Sequence, residues 1–315
     1  MEHPRIIAIV GPTGSGKSSL ALKLAKNFQG EIISADSVQV YQGLDIGTAK
    51  PSLEERRLIP HHLIDILEPD QDYSAALFRK QADEIISGLH KRQTPVIIAG
   101  GTGLYLKALT RGLFRGPASN SKLRTILNKQ AETEGSEYLH CQLKNIDPQA
   151  ASRIHPRDTL RLIRAIEVYS QGNQPISSLQ RNHGFQENPY EVLKIGFTLE
   201  KNELYRRIEV RTEEMVKKGW VEEVRTLLHK GYDPRLKSLQ SIGYKQIVSY
   251  LLGEVNFLEA ISLIKRDTRR YAKRQLTWFK ADPEIIWLKA SPESLHLIEK
   301  RVEEFLEKAL NAKRL

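Results

Sequence analysis

A single cysteine, Cys141, with no Cys or His cluster around it, excludes a disulfide framework within the chain and argues against a structural zinc site. Long apolar runs are missing as well. The first, Ile6 to Val10, is far too short for a membrane span or a signal-peptide core, and no longer one follows. A soluble cytoplasmic protein with no membrane partner is the expectation. There is no internal repeat and no low-complexity tract. Acidic residues are in deficit, 38 Asp and Glu against 48 Lys and Arg, and the net charge of +10 favours a polyanionic partner. At 315 residues the chain is long enough for one large or two modest domains, and nothing in it requires more than a monomer.

What is present is a phosphate loop. The apolar run Ile6 to Val10 leads into Gly11-Pro12-Thr13-Gly14-Ser15-Gly16-Lys17-Ser18, and a helical pattern opens at once with Ser19-Leu20-Ala21-Leu22. The loop fits G-x-x-x-x-G-K-[ST] at every fixed position, between a strand and a helix. Its glycines allow backbone conformations that a Cβ would forbid, so successive N–H groups can converge on an anion. The helix N-terminus adds partial positive charge, Lys17 a full one, and Ser18 a hydroxyl suited to Mg²⁺. A di- or triphosphate group is the expected ligand.

Downstream, Glu31 to Asp36 is a second short strand ending at Asp36-Ser37, and the polar, glycine-punctuated stretch Gln39 to Pro51 is a loop. His62 to Leu67 is expected as a strand, followed by an amphipathic helix from about Tyr73 to Lys91 capped by Asp72 or Ser74. Pro95 to Ala99 is the next buried strand, broken by Gly100-Gly101-Thr102-Gly103 and followed by a helix from Leu104 to Leu113. Short apolar strands alternating with helices predict an α/β fold, a P-loop NTPase-like parallel sheet flanked by helices. Ligands gather at the carboxyl ends of such strands, where the Gly11 loop, the Asp36-Ser37 corner and the Gly100-Gly101-Thr102 corner all lie.

The expected division is a first part of the core over 1–116, a helical insertion domain over 117–190, and a return to the sheet with C-terminal helices over 191–315. In the insertion, a helix near Arg157 to Gln171 places Arg157, Arg161 and Arg164 on one face and Leu162, Ile166 and Tyr169 on another. Such a stripe is either a solvated face or a binding surface. Glu191 to Leu199 returns to the sheet, then helices are expected over Asn202–Lys218, Val221–Lys230, Ser241–Leu252 and Asn256–Lys280. The last carries Arg266 to Gln275 (RDTRRYAKRQ), a dense cationic face whose self-repulsion anion binding would offset. Trp278 and Phe279 beside it are expected in the core rather than stacked on bases. Glu284 to Leu288 is a final strand, and a helix over Pro292–Ala312 follows.

Two further absences bear on function. The strand Val96 to Ala99 ends in Gly100-Gly101 rather than in the acidic residue that holds Mg²⁺ in many ATPases, and no guanine-reading Asn/Thr-Lys-x-Asp run occurs. A small-molecule kinase stays open on these residues, with Asp36 near Mg²⁺ or acting as a base. It leaves the basic insertion and basic C-terminal helix without a use.

The loop GPTGSGKS, then Asp36 to Tyr41 (DSVQVY), Asp45 to Pro51 (DIGTAKP), Gly100 to Tyr105 (GGTGLY) and Arg266 to Gln275 occur in this order. Together they resemble the bacterial tRNA dimethylallyltransferases, the tRNA isopentenyltransferase family, over nearly the whole chain. The resemblance implies that the loop, Gly11 to Ser18, binds the diphosphate of dimethylallyl diphosphate with Arg211 clamping it and Mg²⁺ on Ser18. It implies transfer of the dimethylallyl group to the exocyclic amine of the adenosine on the 3′ side of the anticodon. Asp36 is then the expected base, with Lys17 stabilising the leaving group and Thr102 helping to place the amine. For the tRNA anticodon stem-loop it implies contacts from Asp36, Ser37, Val38, Gln39 and Thr102, from Arg124 and Leu160-Arg161-Leu162-Ile163-Arg164 in the insertion, and from Gln240-Ser241-Ile242-Gly243-Tyr244-Lys245. Gly243-Tyr244 would offer a turn and a stacking ring, and Arg269, Arg270, Lys273 and Arg274 suit an RNA backbone. The alternatives to this reading are the phosphate-loop kinase acting on a small metabolite and an adenylate isopentenyltransferase; a non-catalytic RNA-binding ATPase is the most distant, since it leaves Asp36 and the glycine-threonine corner without a use.

Overall fold

The computed structural model describes residues 3–289 and 291–312. The chain forms two compact units, one running up to Thr110 and resuming at Pro189, the other spanning Arg111–Asn188. The second begins six residues before the expected position 117, because the change to helical periodicity is visible only after the Phe114–Pro117 stretch.

The first unit opens with β1 (Arg5–Val10), α1 (Lys17–Asn27), β2 (Glu31–Ser34), α2 (Leu53–Leu58), β3 (His61–His62), α3 (Ala75–Lys91), β4 (Val96–Ala99) and α4 (Gly103–Arg111). The second unit holds α5 (Ser121–Glu134), α6 (Ser136–Ile146), α7 (Pro148–Ala151), α8 (Thr159–Gly172) and α9 (Ile176–His183). The first resumes with β5 (Glu191–Thr198), α10 (Lys201–Lys217), α11 (Trp220–His229), α12 (Tyr244–Leu251), α13 (Phe257–Lys280), β6 (Ile285–Lys289) and α14 (Pro292–Ala312).

The six strands make one parallel sheet in the order β3-β2-β4-β1-β5-β6, with Ile6 beside both Val96 and Val192. The unbroken apolar run of β1 follows from this position. Ile6 packs on one face with Phe78, Ile86 and Leu109, while Ile7 and Ile9 pack on the other with Leu24, Ile298 and Val302. A strand covered on both sides has no polar alternation to show. β1 therefore lies at the centre, and the loop that follows it emerges in the middle of the sheet's carboxyl edge.

One expected strand is largely absent. Only His61 and His62 pair with β2; Leu63 and Asp65 then take positive φ (60° and 56°), which no strand tolerates. The segment turns instead onto the 39–42 stretch, where Asp65 N–H donates to Gln39 O and Ile66 N–H to Val40 O (3.1 and 2.9 Å). Lys50 holds it there through Tyr41 O and the carboxylates of Asp45 and Asp65. A buried lysine with all three donors in use is stronger than the period-two signal of six residues.

The second unit has its own core of Leu127, Leu139, Leu143, Leu162, Ile163 and Val168. At its centre Glu167 is 0% exposed and accepts from Arg124 Nε and Nη2 (2.8 and 2.9 Å), Arg164 Nη1 (2.6 Å) and Asn120 N–H (2.8 Å). Burial raises the pKa of this carboxyl, but the two arginines and the Asn120 N–H outweigh it and bring it to about 2. The expected arginine stripe is altered accordingly. Arg157 precedes the Asp158 cap and stands off α8, and Arg164 is turned onto Glu167 and Pro117 O.

Candidate active site

The glycine-rich loop joins β1 to α1 through backbone conformations that residues with a Cβ rarely adopt. Gly14 and Gly16 have φ of 80° and 92°, and Gly16 serves as a left-handed N-cap for α1 with no side-chain cap. The helix N-terminus is thereby left open towards a cavity of about 400 Å³ at the sheet's carboxyl edge. Thr13, Gly14, Gly16, Lys17 and Ser18 line one end of it; Pro12 and Ser15 stand behind this surface. Pro12 gives its carbonyl to Lys17 Nζ at 2.6 Å, and the Ser15 hydroxyl is buried with no hydrogen-bond partner.

Two half-buried cations, Lys17 and Arg211, meet at this end. Burial, and after it the neighbouring Arg211 guanidinium, bring the Lys17 pKa down to about 7 against the opposing pull of Asp36. Arg211, on α10, is lowered by burial too, against the pull of Asp36 and Glu214. Among the described residues no carboxylate lies within ion-pair distance of either group. Partly desolvated charge of one sign, held next to an open helix N-terminus, is a site prepared for an anion.

Asp36, Ser37, Val38 and Gln39 form the next wall. Asp36 Oδ1 accepts from the backbone N–H groups of Val38 (2.9 Å) and Gln39 (3.3 Å), an Asx turn that fixes the orientation of the carboxylate beside Lys17 and Arg211. Thr102 stands behind this corner, not on the cavity surface: its Oγ1 accepts from Ser37 N–H at 3.2 Å. The lining there is Ala99, Gly100 and Gly101.

The opposite wall comes from α10 to α13, with Ile208, Met215, Trp220 and Ile264 supplying apolar surface and Tyr271 and Gln275 polar groups. Burial raises the Tyr271 phenol to about 12, Asp36 adding to the effect. Tyr244 lines the cavity as structure, not as a free stacking ring: it is 1% exposed, edge-on to Trp220, with its hydroxyl donating to Glu223 at 2.6 Å. Ser241 and Ile242 share this wall, whereas Gln240 is exposed and bonds Pro234 O. Gly243 N–H is held by Gln246, and Lys245 is partly buried just inside α12.

The DIGTAKP loop reaches the cavity at Gly47, Thr48 and Ala49, and a single carboxylate holds it. Glu223 Oε2 accepts from the N–H groups of Asp45 (2.9 Å) and Ile46 (2.6 Å), and Oε1 from Gly47 (3.2 Å) and Tyr244 O–H (2.6 Å). Gly47 lies so close under Trp220 that a Cβ would fall 2.1 Å from the indole nitrogen. An amide cannot accept as two carboxylate oxygens do, so Glu223→Gln is expected to cost about 2 kcal/mol of stability. Urea unfolding of the two proteins measures it; equal midpoints and slopes would show that the loop does not depend on this carboxylate.

Two expected surfaces look different in the structure. On α13, Arg269 pairs with Glu209 and Lys265 with Glu213 of α10 (both 2.6 Å), so carboxylates already relieve much of the crowding of positive charge. Phe279 is in the core, but Trp278 stays 43% exposed, its indole over Gly103, where a Cβ would fall 2.2 Å away. In the second unit, Leu160 is 83% exposed and Arg161 exposed, while Leu162 and Ile163 are core residues whose side chains are turned from solvent. Arg124 is bound to Glu167 as described.

The model of one enzyme family, IPP transferase, matches residues 39–282, more than three-quarters of the chain, including the cavity wall from Gln39 onwards. The chain belongs to the IPP transferase family. Among its relatives, this family member is 53% identical over 281 residues to tRNA dimethylallyltransferase 2 of Geotalea uraniireducens (89% of this chain, 91% of that protein). It is 50% identical over 285 residues to tRNA dimethylallyltransferase of Geobacter metallireducens (90% and 92%). Its fold matches the crystal structure of the full-length tRNA isopentenylpyrophosphate transferase of Bacillus halodurans with a TM-score of 0.73 at 37% identity, covering 99% and 100% of the two chains. A eukaryotic dimethylallyltransferase acting on tRNA gives 0.77 at 28%, covering 92% of this chain and 75% of that one. The fold is P-loop NTPase-like, and this IPP transferase is a prenyl-transferring enzyme. No helix among the described residues is long and apolar enough to cross a membrane.

Proposed function

We propose that the enzyme transfers the dimethylallyl group of dimethylallyl diphosphate to the exocyclic N6 amine of the adenosine on the 3′ side of the tRNA anticodon. The observation that carries this reading is the polarity of the cavity. One end has two half-buried cations and a helix N-terminus; the wall of Ile208, Met215 and Ile264 is apolar; Asp36 lines the cavity beside the two cations. A substrate with a diphosphate on a short hydrocarbon has this distribution of charge.

In the reaction the C1–O bond to diphosphate breaks and a bond from N6 to C1 forms. Negative charge grows on the leaving oxygen while C1 becomes cationic. The loop N–H groups, Lys17 and Arg211 stabilise that growing charge more than the ground state. Adenine's amine is a weak nucleophile because its lone pair is delocalised into the ring, so its proton must leave as the bond forms. The Asp36 carboxylate accepts it. Thr102 acts through the corner it braces, by holding Ser37 N–H. The adenosine leaves its stack to reach the cavity, as enzymes acting on a base require. Ser37 to Gln39 and Ser241-Ile242 face it there, and Arg124, Leu160, Arg161 and Arg164 belong to the RNA-binding surface of the second unit.

The donor set also fits Mg²⁺. This ion takes one or two protein oxygens and completes its shell with water and substrate phosphates, so the lack of an acidic cluster among the described residues is no obstacle. Ser18 Oγ, on the cavity surface, would hold it, and when bound it would neutralise charge on the diphosphate.

The test is an incubation of the protein and Mg²⁺ with radiolabelled dimethylallyl diphosphate and, in parallel, unmodified tRNA with adenosine 3′ to its anticodon, AMP, or no acceptor. Label in the tRNA alone is expected. Label in AMP would make the acceptor a free nucleotide, and label in neither would remove the reading.

A further inference from the structure

Gln275 is the one polar side chain on the buried side of α13 that bonds two other elements at once. It is 5% exposed, and both ends of its amide are used. Its Oε1 accepts from Thr13 N–H and its Nε2 donates to Gly101 O, both at 2.9 Å. The first partner belongs to the glycine-rich loop and the second to the corner after β4, and 262 and 174 residues separate them from Gln275 in sequence. The fit is close: a Cβ at Gly101 would fall 2.1 Å from Nε2, so glycine is needed there for the amide to sit. The bond also takes Thr13 N–H, a donor at the mouth of the loop, out of the set aimed at an anion. One turn before it, Tyr271 lies beside both Gln275 and Thr102, and Thr102 in turn holds Ser37 beside Asp36.

We propose that Gln275 is a positioning residue that sets the distance and angle between the diphosphate loop and the acceptor corner. This rests on the prenyl-transfer reading above. The loop fixes the leaving group, and the Gly101-Thr102 and Asp36-Ser37 corners fix the amine. The amine must approach C1 opposite the departing oxygen, so an error in their separation falls directly on the reacting distance. No other side chain among the described residues hydrogen-bonds both segments. Gln275 touches no reacting atom in this scheme; it acts through Thr13 and Gly101.

Two variants separate positioning from mere packing. Gln275→Met keeps the volume and apolar contacts but makes neither bond. It is expected to lower kcat for tRNA prenylation ~30-fold while tRNA Kd stays within about twofold and the melting transition stays above the assay temperature. Gln275→Glu accepts from Thr13 N–H but sets a carboxylate against Gly101 O. Protonation makes it a donor again, so its kcat relative to wild type is expected to rise as the pH falls from about 8 to about 5.5. A residue that only fills space gives no such recovery in folded protein. Met and Glu variants both within about threefold of wild-type kcat across that range would overturn the proposal. So would a Met-variant loss that tracks unfolding alone, together with a Glu variant showing no recovery. The wild-type enzyme run alongside keeps the two claims apart: no label in tRNA from wild type sinks the functional reading, whereas label from wild type with unaffected variants sinks only the role of Gln275.

Discussion

Asp36→Asn is expected to lower the single-turnover rate of prenyl transfer at least ~10²-fold while leaving tRNA affinity within about twofold. The asparagine is the informative substitution because of the turn. Asp36 Oδ1 holds the N–H groups of Val38 and Gln39, and an amide oxygen can hold them as well. Asn therefore keeps the corner and removes the basicity, whereas Asp36→Ala releases two backbone donors and loses the base together. If the carboxylate only caps the turn, Asn would be near wild type and Ala impaired. If it takes the proton from N6, Asn and Ala would fall together, with Ala the less stable protein. Rapid-quench kinetics at saturating donor, with tRNA binding measured separately, distinguishes the two. A near-wild-type rate in the Asn variant would remove Asp36 as the base.

The part of this site that the sequence made legible is the part formed by contiguous residues. Eight consecutive positions specify the loop, because anion binding by backbone needs glycines at fixed spacing, and Asp36 was visible because it ends an apolar run. The opposite wall was not visible in the same way. Trp220, Met215 and Ile264 face the cavity because α10 to α13 pack on the sheet at particular angles, and periodicity reports that a residue is inside without saying what it meets. Glu223 had no local mark, since a glutamate in the first turn of a helix is ordinary; its importance lies in three N–H groups 176 to 178 residues away. Gln275 did leave a signal, an uncharged polar residue on the buried side of a helix otherwise lined by Ile264, Ala272 and Phe279. The second unit shows the opposite error. An arginine spacing suggested an exposed stripe, and Glu167, lying among apolar neighbours, drew Arg124 and Arg164 to itself.

Binding of the donor diphosphate is expected to weaken as pH rises through about 7, because Lys17 changes charge there in the free enzyme. The sign follows from its surroundings. Burial and Arg211 both disfavour the ammonium, so below that pH Lys17 is a cation and above it increasingly neutral. A diphosphate placed at the loop favours the ammonium, raises the lysine's pKa and keeps the proton. At alkaline pH binding must therefore first draw a proton from solvent, and the affinity falls by up to about tenfold per pH unit from this group alone. Lys17→Met removes that dependence along with the charge. It is expected to lower kcat by ~10²- to 10³-fold, the cost of losing one pre-placed donor to a growing oxyanion. Single-turnover transfer to tRNA measures the rate loss, and titration calorimetry with a non-reactive thiolo analogue of dimethylallyl diphosphate, in two buffers of different ionisation enthalpy, measures the proton linkage. Wild type should show proton uptake that increases above neutral pH, and the Met variant markedly less. Equal uptake in the two proteins would place the titrating group on the ligand, and Lys17 would then be a cation throughout, with Arg211 and the loop N–H groups sufficient to keep it so.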